Sequence, residues 1–173
     1  KALIIKGLEL DPDSITGNTL LIKTLDSKTL LKQMDNFLDI LPKSNYIKVL
    51  IASKLVDLFP SKALKLLGTD NWDELFLRSQ CFKKLDKVEE SLSSILKALD
   101  YQPNNLEGWL AAGWSAYDLS KYDEASDYFD CAIGCESLCS DALFGKASSL
   151  KKLGKDYSLY KIVLADLDKE LII

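Results

Sequence analysis

The chain of 173 residues contains no histidine. That removes Ser-His and Cys-His nucleophile pairs and the common imidazole metal sites. No Gly-rich phosphate loop follows a strand-like segment, and no segment is strand-rich. No apolar run approaches the ~20 residues needed to span a bilayer. The opening Lys1-Ala2-Leu3-Ile4-Ile5-Lys6 is too short for a signal peptide and lacks a small-residue cleavage site. The first residue is not Met, so the expectation is a piece of a longer protein. Proline (4) and glycine (8) are scarce, while 47% of residues are hydrophobic and 28% charged, which excludes a disordered chain. Charge is divided unevenly along the chain. Residues 1–71 carry a net +2, residues 72–173 a net −6, and the whole chain −4. Neither part has the basic footprint of a nucleic-acid binder.

Four cysteines are present: Cys81 alone, and Cys131, Cys135 and Cys139 spaced by four. On one helix that spacing makes a thiol stripe. Three thiols within one helix pair poorly with each other, so a reducing, cytoplasmic setting is expected. With no histidine, and without the short Cys-x2-Cys knuckle, the spacing does not point to zinc. Small apolar fillers of helix seams are the expected role. No cofactor and no metal is expected. The many carboxylates recur along helix exteriors, as a solvated face does, and no catalytic set is expected.

What the chain does have is self-similarity at 34 residues. Residues 72–105, 106–139 and 140–173 stack without gaps. Leu75, Trp109 and Leu143 share a column, as do Ser79, Gly113 and Ala147. Ser91, Ala125 and Leu159 form a third, and Ile95, Phe129 and Val163 a fourth. A fixed period of this length signals stacked supersecondary units. In the middle unit Trp109, Ala112, Gly113 and Ala116 lie three and four apart, as on a helix face. Leu119–Tyr122 breaks the pattern, and Ala125, Phe129 and Ala132 begin a second helix. Gly113 and Ala125 are expected to face each other at a close helix crossing, with Trp109 and Phe129 beside it.

These residues resemble the tetratricopeptide repeat (TPR). The frame repeats in the preceding unit at Leu75, Ser79, Phe82, Ser91, Ile95, Ala98 and Pro103. It repeats in the following unit at Leu143, Ala147, Leu150, Leu153-Gly154 and Leu159, departing at Asp166. Upstream, Lys6–Pro12 parallels Lys97–Pro103 as the end of a half-unit. Residues 15–42 and 43–70 make two degenerate units. Their helices are expected near 15–25, 27–41, 45–58 and 61–67, with Leu30, Met34, Phe37 and Leu41 inward and Pro60 opening the last. The domain reading is therefore divergent repeats over 1–71 and three units over 72–173 in one continuous solenoid. The resemblance implies an all-α fold, a right-handed superhelical stack of antiparallel helix pairs.

The resemblance also implies a concave groove lined by the first helix of each unit. One column is Asp73, Glu107 and Asp141, the next Phe76, Leu110 and Phe144, and a third Gln80, Trp114 and Ser148. Lys83-Lys84, Tyr117-Asp118 and Lys151-Lys152 follow toward the helix ends. The expected groove has an acidic wall, an apolar floor and a mostly basic far wall. Acids at helix starts and lysines at helix ends also complement the helix dipole, a structural reason for the same charges. A TPR subtype grips C-terminal carboxylates with Lys, Asn and Arg. Here the corresponding columns carry Phe76, Gln80, Ala111, Asp141 and Gly145, so that ligand is not expected.

The expected function is a non-catalytic scaffold holding a protein or peptide segment with apolar anchors and basic residues against the acidic wall. The contact residues are Asp73, Phe76, Gln80, Glu107, Leu110, Trp114, Tyr117, Asp141 and Phe144. Neither nucleic-acid binding nor membrane insertion is expected. The alternatives are self-association into a homo-oligomer, with the apolar tail Leu171-Ile172-Ile173 seeking a partner, and a regulatory domain of a longer protein.

Overall fold

The computed structural model describes residue 11 and residues 14–40 and 45–170. Ten α-helices and no strand occur among them. They group into two compact units, divided after Asp86. The division falls inside the 72–105 repeat, between its two helices.

The first unit holds α1 (Ile15–Thr24), α2 (Ser27–Ile40), α3 (Asn45–Leu55), α4 (Pro60–Leu64) and α5 (Trp72–Lys84). The starts of α1, α2 and α4 have a local cause. The Ser14 hydroxyl accepts from Gly17 N at 3.3 Å. Asp26 accepts from the amides of Lys28 and Thr29 and from the Thr29 hydroxyl, before α2. The Thr29 hydroxyl, together with these amides, holds the Asp26 carboxyl below its ordinary pKa. Pro60 is the first residue of α4, where its missing N–H costs nothing. Lys54 crosses to the end of α1, its ammonium donating to the carbonyls of Lys23 and Leu25. That places a cation where α1 leaves carbonyls unpaired.

Ile22, Leu30, Phe37, Ile47, Ile51 and Leu55 make a single buried core in this unit. Of the four residues expected inward on α2, Leu30 and Phe37 are buried and Met34 half-buried. Leu41 lies outside the described residues, as do Lys6–Leu10, Pro12 and the tail Leu171–Ile173. α3 and α4 are shorter than expected. After Leu64 the backbone closes i→i−3 bonds, Leu66 N to Ala63 O and Leu67 N to Leu64 O, so the helix tightens and ends. Glu74, buried on α5, accepts from Asn45 Nδ2 at 2.6 Å and from Asp70 N at 3.3 Å.

The second unit holds α6 (Val88–Leu99), α7 (Leu106–Asp118), α8 (Tyr122–Cys135), α9 (Ser140–Lys152) and α10 (Ser158–Glu170). The 34-residue register is visible in the helix starts. α5, α7 and α9 begin at 72, 106 and 140, and each is 13 residues long. Asn71 and Asn105 cap the first two through side-chain bonds to Glu74 N and Gly108 N. The turn after each also repeats. Asp86, Ser120 and Gly154 all have positive φ, at 59°, 61° and 68°. Around Ser120 its amide donates to Tyr117 O and the Lys121 amide to Ala116 O. The same pair recurs at Gly154 and Lys155. These are Schellman closures, which require a left-handed residue at that place.

Most of the sequence columns hold. Leu75, Leu143, Ser79, Gly113, Ala147, Ser91, Ala125, Ile95 and Phe129 are all buried. Three expectations are sharpened or corrected. First, the nearest atoms a side chain at Gly113 would meet belong to the Phe129 ring. A Cβ there would lie 2.6 Å from Phe129 Cε1. A Cβ at Gly145 on α9 would strike the same ring. Phe129 is therefore a knob held between glycines of two helices, and its bulk is why both positions lack a side chain.

Second, Leu159 does not join its column but is 66% exposed. α6 and α8 start 34 residues apart, whereas α10 starts 36 after α8. Lys155–Tyr157 extend the turn, and the Asp156 carboxylate caps Ser158 through its amide and hydroxyl. Two extra residues rotate a helix by about 200°, which turns Leu159 outward. Third, the cysteine stripe is broken. α8 ends at Cys135, and Cys139 is the N-cap residue of α9. Only Cys131 and Cys135 share a helix.

Candidate functional site

Trp114 is the centre of the second unit's aromatic side chains. Its ring meets Phe129 edge-on at 5.0 Å, Tyr117 edge-on at 5.7 Å and Phe144 at 6.2 Å. Tyr117 meets Tyr122 at 5.2 Å. The buried Phe129 thus supports Trp114 from below. The helix register produces this: Leu110, Trp114 and Tyr117 lie four and three apart on α7, and Phe144 projects from α9 beside them. Leu110, Trp114 and Tyr117 are half-buried, while Phe144 is 57% exposed. Glu107 and Asp141 are exposed in the first turns of α7 and α9. The structure therefore brings together four of the expected apolar residues, with two of the expected acids on the same two helices.

The other three expected residues, Asp73, Phe76 and Gln80, belong to the first unit. Asp73 is exposed in the first turn of α5. Phe76 stacks on Trp72 at 5.2 Å. Gln80 lines a cleft of about 340 Å³ with Val56, Asp57, Lys83 and Lys84, and Lys84 pairs with Asp57 at 2.8 Å.

Two further clefts open in the second unit. One of about 400 Å³ lies between α9 and α10, lined by Phe144, Ala147, Ser148, Lys151, Tyr157, Lys161, Leu164 and Ala165. The other, of about 580 Å³, is lined by Pro103, Asn104, Trp109, Cys131, Gly134 and Cys135. Trp109, expected beside the α7–α8 crossing, reaches from α7 to α8. It stacks on Tyr128 at 6.0 Å, and its indole N–H donates to Pro103 O at 2.7 Å.

The sequence reading missed two residues. Gly145 appeared only as a non-matching clamp position, yet it forms half of the Phe129 socket. Lys146, in the column of Ala112, is buried. Its ammonium donates to Ser126 O at 3.3 Å and pairs with Asp130, fastening α9 to α8. The column reads Arg78, Ala112, Lys146, so a basic residue recurring at one helix position in two of the three units was the available signal. Cys81 and Cys131 show no activation. Burial pushes the Cys81 thiol up to about 11 and Cys131 upward as well, the latter with Asp130 contributing. A raised thiol is a poor nucleophile and a poor metal ligand. Among the described residues no group of three His, Cys, Asp or Glu side chains is placed to hold a metal ion. No helix among them is long and apolar enough to cross a membrane.

The architecture has counterparts among solved structures. A crystal structure of MamA superposes with a TM-score of 0.79 at 12% identity, over 92% of this chain and 98% of that one. YrrB, a TPR protein with an unusual peptide-binding site, gives 0.74 at 18% identity, over 94% and 91%. The chain has the tetratricopeptide-repeat fold. It is all-α among the described residues. A second MamA structure, MamA MSR-1 C2, gives 0.75 at 15% identity, over 96% and 98%. No family model matches the chain, and no curated protein matches it. The likeness is thus one of TPR architecture, and the surface chemistry of this chain has to be read from its own residues.

Proposed function

We propose that the protein is a non-catalytic interaction scaffold. It takes a peptide or protein segment on the surface formed by Leu110, Trp114, Tyr117 and Phe144, with Glu107 and Asp141 recognising basic residues of the segment. Asp73, Phe76 and Gln80 are proposed as partner contacts of the first unit. The observation that carries this reading is Phe144: a large aromatic side chain 57% exposed, standing against the half-buried Trp114. Aromatic anchors of this kind dominate the energetics of interfaces, with truncations costing ~2 kcal/mol or more. That YrrB has a peptide-binding site on the same fold supports the reading.

The test is selection of a displayed random 12-mer library on the immobilised protein, then titration of the enriched peptides. Trp114→Ala and Phe144→Ala are expected to weaken binding about 30-fold or more. Phe144→Ala separates binding from folding, because its ring is largely exposed. Retention of affinity in both variants, together with loss in Tyr128→Ala, would move the site to the Trp109–Tyr128 face.

One observation favours a second reading, self-association. Leu159 and Ile162, three apart on α10, are 66% and 61% exposed. Light scattering at two concentrations, on wild type and on Leu159→Lys/Ile162→Lys, decides it. A mass that is concentration-independent and equal in both excludes association through this face.

A further inference from the structure

We infer that the cleft between α9 and α10 is a socket for an aromatic side chain of the partner, flanked by acidic residues of the same segment. This rests on the reading of the protein as a peptide-binding scaffold, and specifies one end of the segment.

The argument begins with Phe129. It is the eighth residue of α8 (Tyr122–Cys135), and its ring fills the space beside Gly113 of α7. One repeat later the position of Gly113 is Ala147 on α9. The eighth residue of α10 (Ser158–Glu170) is Ala165. The late start of α10 therefore puts a methyl group where the preceding pair has a phenyl ring. A cleft of about 400 Å³ opens there, and both Ala147 and Ala165 line it. Phe144, Tyr157 and Leu164 supply its apolar surface. The chain already shows what such a space accepts, since a phenyl ring occupies the equivalent space beside Trp114.

Charge identifies what stands beside the ring. Lys151 and Lys161 line the cleft, and no carboxylate does. Both lysines are exposed, and neither has an ion-pair partner among the described residues. In a chain of net charge −4, two unpaired lysines around one apolar slot select locally for an anion. Asp141 stands ten residues before Lys151 on α9, about 15 Å away along the axis. The surface is therefore polarised: basic residues of the segment belong near Asp141 and Glu107, and an aromatic residue with neighbouring Asp or Glu belongs at Lys151 and Lys161.

The experiment uses the peptides enriched from the displayed library on the full chain. They are expected to carry Phe, Tyr or Trp within two residues of Asp or Glu. Replacing that aromatic by Ala should abolish measurable binding. Lys151→Glu/Lys161→Glu should weaken binding at least tenfold at low salt and by less at high salt. Ala165→Phe, which fills the slot from the protein's own side, should abolish binding while leaving the helical circular dichroism intact. Ala165→Ser is the control and should bind as wild type does. Enrichment of sequences without an acid–aromatic pair, or tight binding by Ala165→Phe and the double-Glu variant, overturns the socket. If those variants bind normally while Phe144→Ala and Trp114→Ala do not, the peptide-binding surface stands and only the socket falls. If an added segment of this chain fills the cleft instead, selection yields no acid–aromatic peptide and the socket is again overturned.

Discussion

At the scale of single residues, the repeat is punctuated by backbone geometry that side-chain columns do not reveal. Asp86, Ser120 and Gly154 occupy one column of the 34-residue register, and all three are left-handed. Only the last is glycine. For an L-residue that conformation costs roughly 1–2 kcal/mol, and glycine gives back about 0.4–1 kcal/mol through the entropy of the unfolded chain. Ser120→Gly is therefore expected to stabilise the fold by roughly 0.5–1 kcal/mol, a rise of a few degrees in Tm for a chain of this size. Ser120→Val, β-branched and worse suited to positive φ, is expected to lower Tm. Thermal melts of the three proteins check the order Gly, Ser, Val. The hydroxyl does not alter the expectation, because its bond to Tyr122 is long, at 3.3 Å, and exposed.

At the scale of helix pairs, the socket around Phe129 makes packing a three-helix matter. Phe129→Ala removes a fully buried ring and is expected to cost about 3–5 kcal/mol. Gly113→Ala pushes a methyl against the ring and should cost about 1–3 kcal/mol in the wild-type background. In the Phe129→Ala background the same change should be neutral or slightly stabilising, because alanine is the better helix former by about 1 kcal/mol. Denaturant titrations of the four proteins give the coupling directly, and additive effects would mean that the glycine does not serve the ring. The sequence disclosed the helices that carry this socket through the period of 34, which placed the starts of α5, α7 and α9. It also disclosed the surface columns of Leu110, Trp114 and Phe144. It did not say that Gly113 and Gly145 make room for the Phe129 ring, because a column says which positions are small without saying what they make room for. It also misplaced Leu159 and the third cysteine. A two-residue lengthening of one turn, and the end of α8 at Cys135, depend on caps that a fixed register conceals. The cleft at Ala165 was hidden for the same reason, since the register paired Phe129 with Val163.

At the scale of the whole molecule, a stacked-repeat protein derives its stability from each helix and its immediate neighbours. In the second unit α8 packs against both α7 and α9, whereas α10 packs against α9 among the described residues. α8 also carries the fully buried Ala125, Phe129 and Ala132, while α10 leaves Leu159 and Ile162 in water and faces an open cleft. Local opening of α10 therefore loses few buried contacts, and opening of α8 loses the unit's core. Native-state hydrogen exchange is expected to show amides of α8 exchanging only through opening of the whole unit. Those of α10 should exchange through a smaller, local opening. A bound peptide seated in the α9–α10 cleft would add a neighbour to α10 and slow its exchange selectively, by linkage to the closed form. Protection of α10 equal to that of α8 in the free protein would show that something within the chain already covers the outer helix. Slowing that is uniform across α7 to α10 on peptide addition would place the ligand elsewhere than on α10.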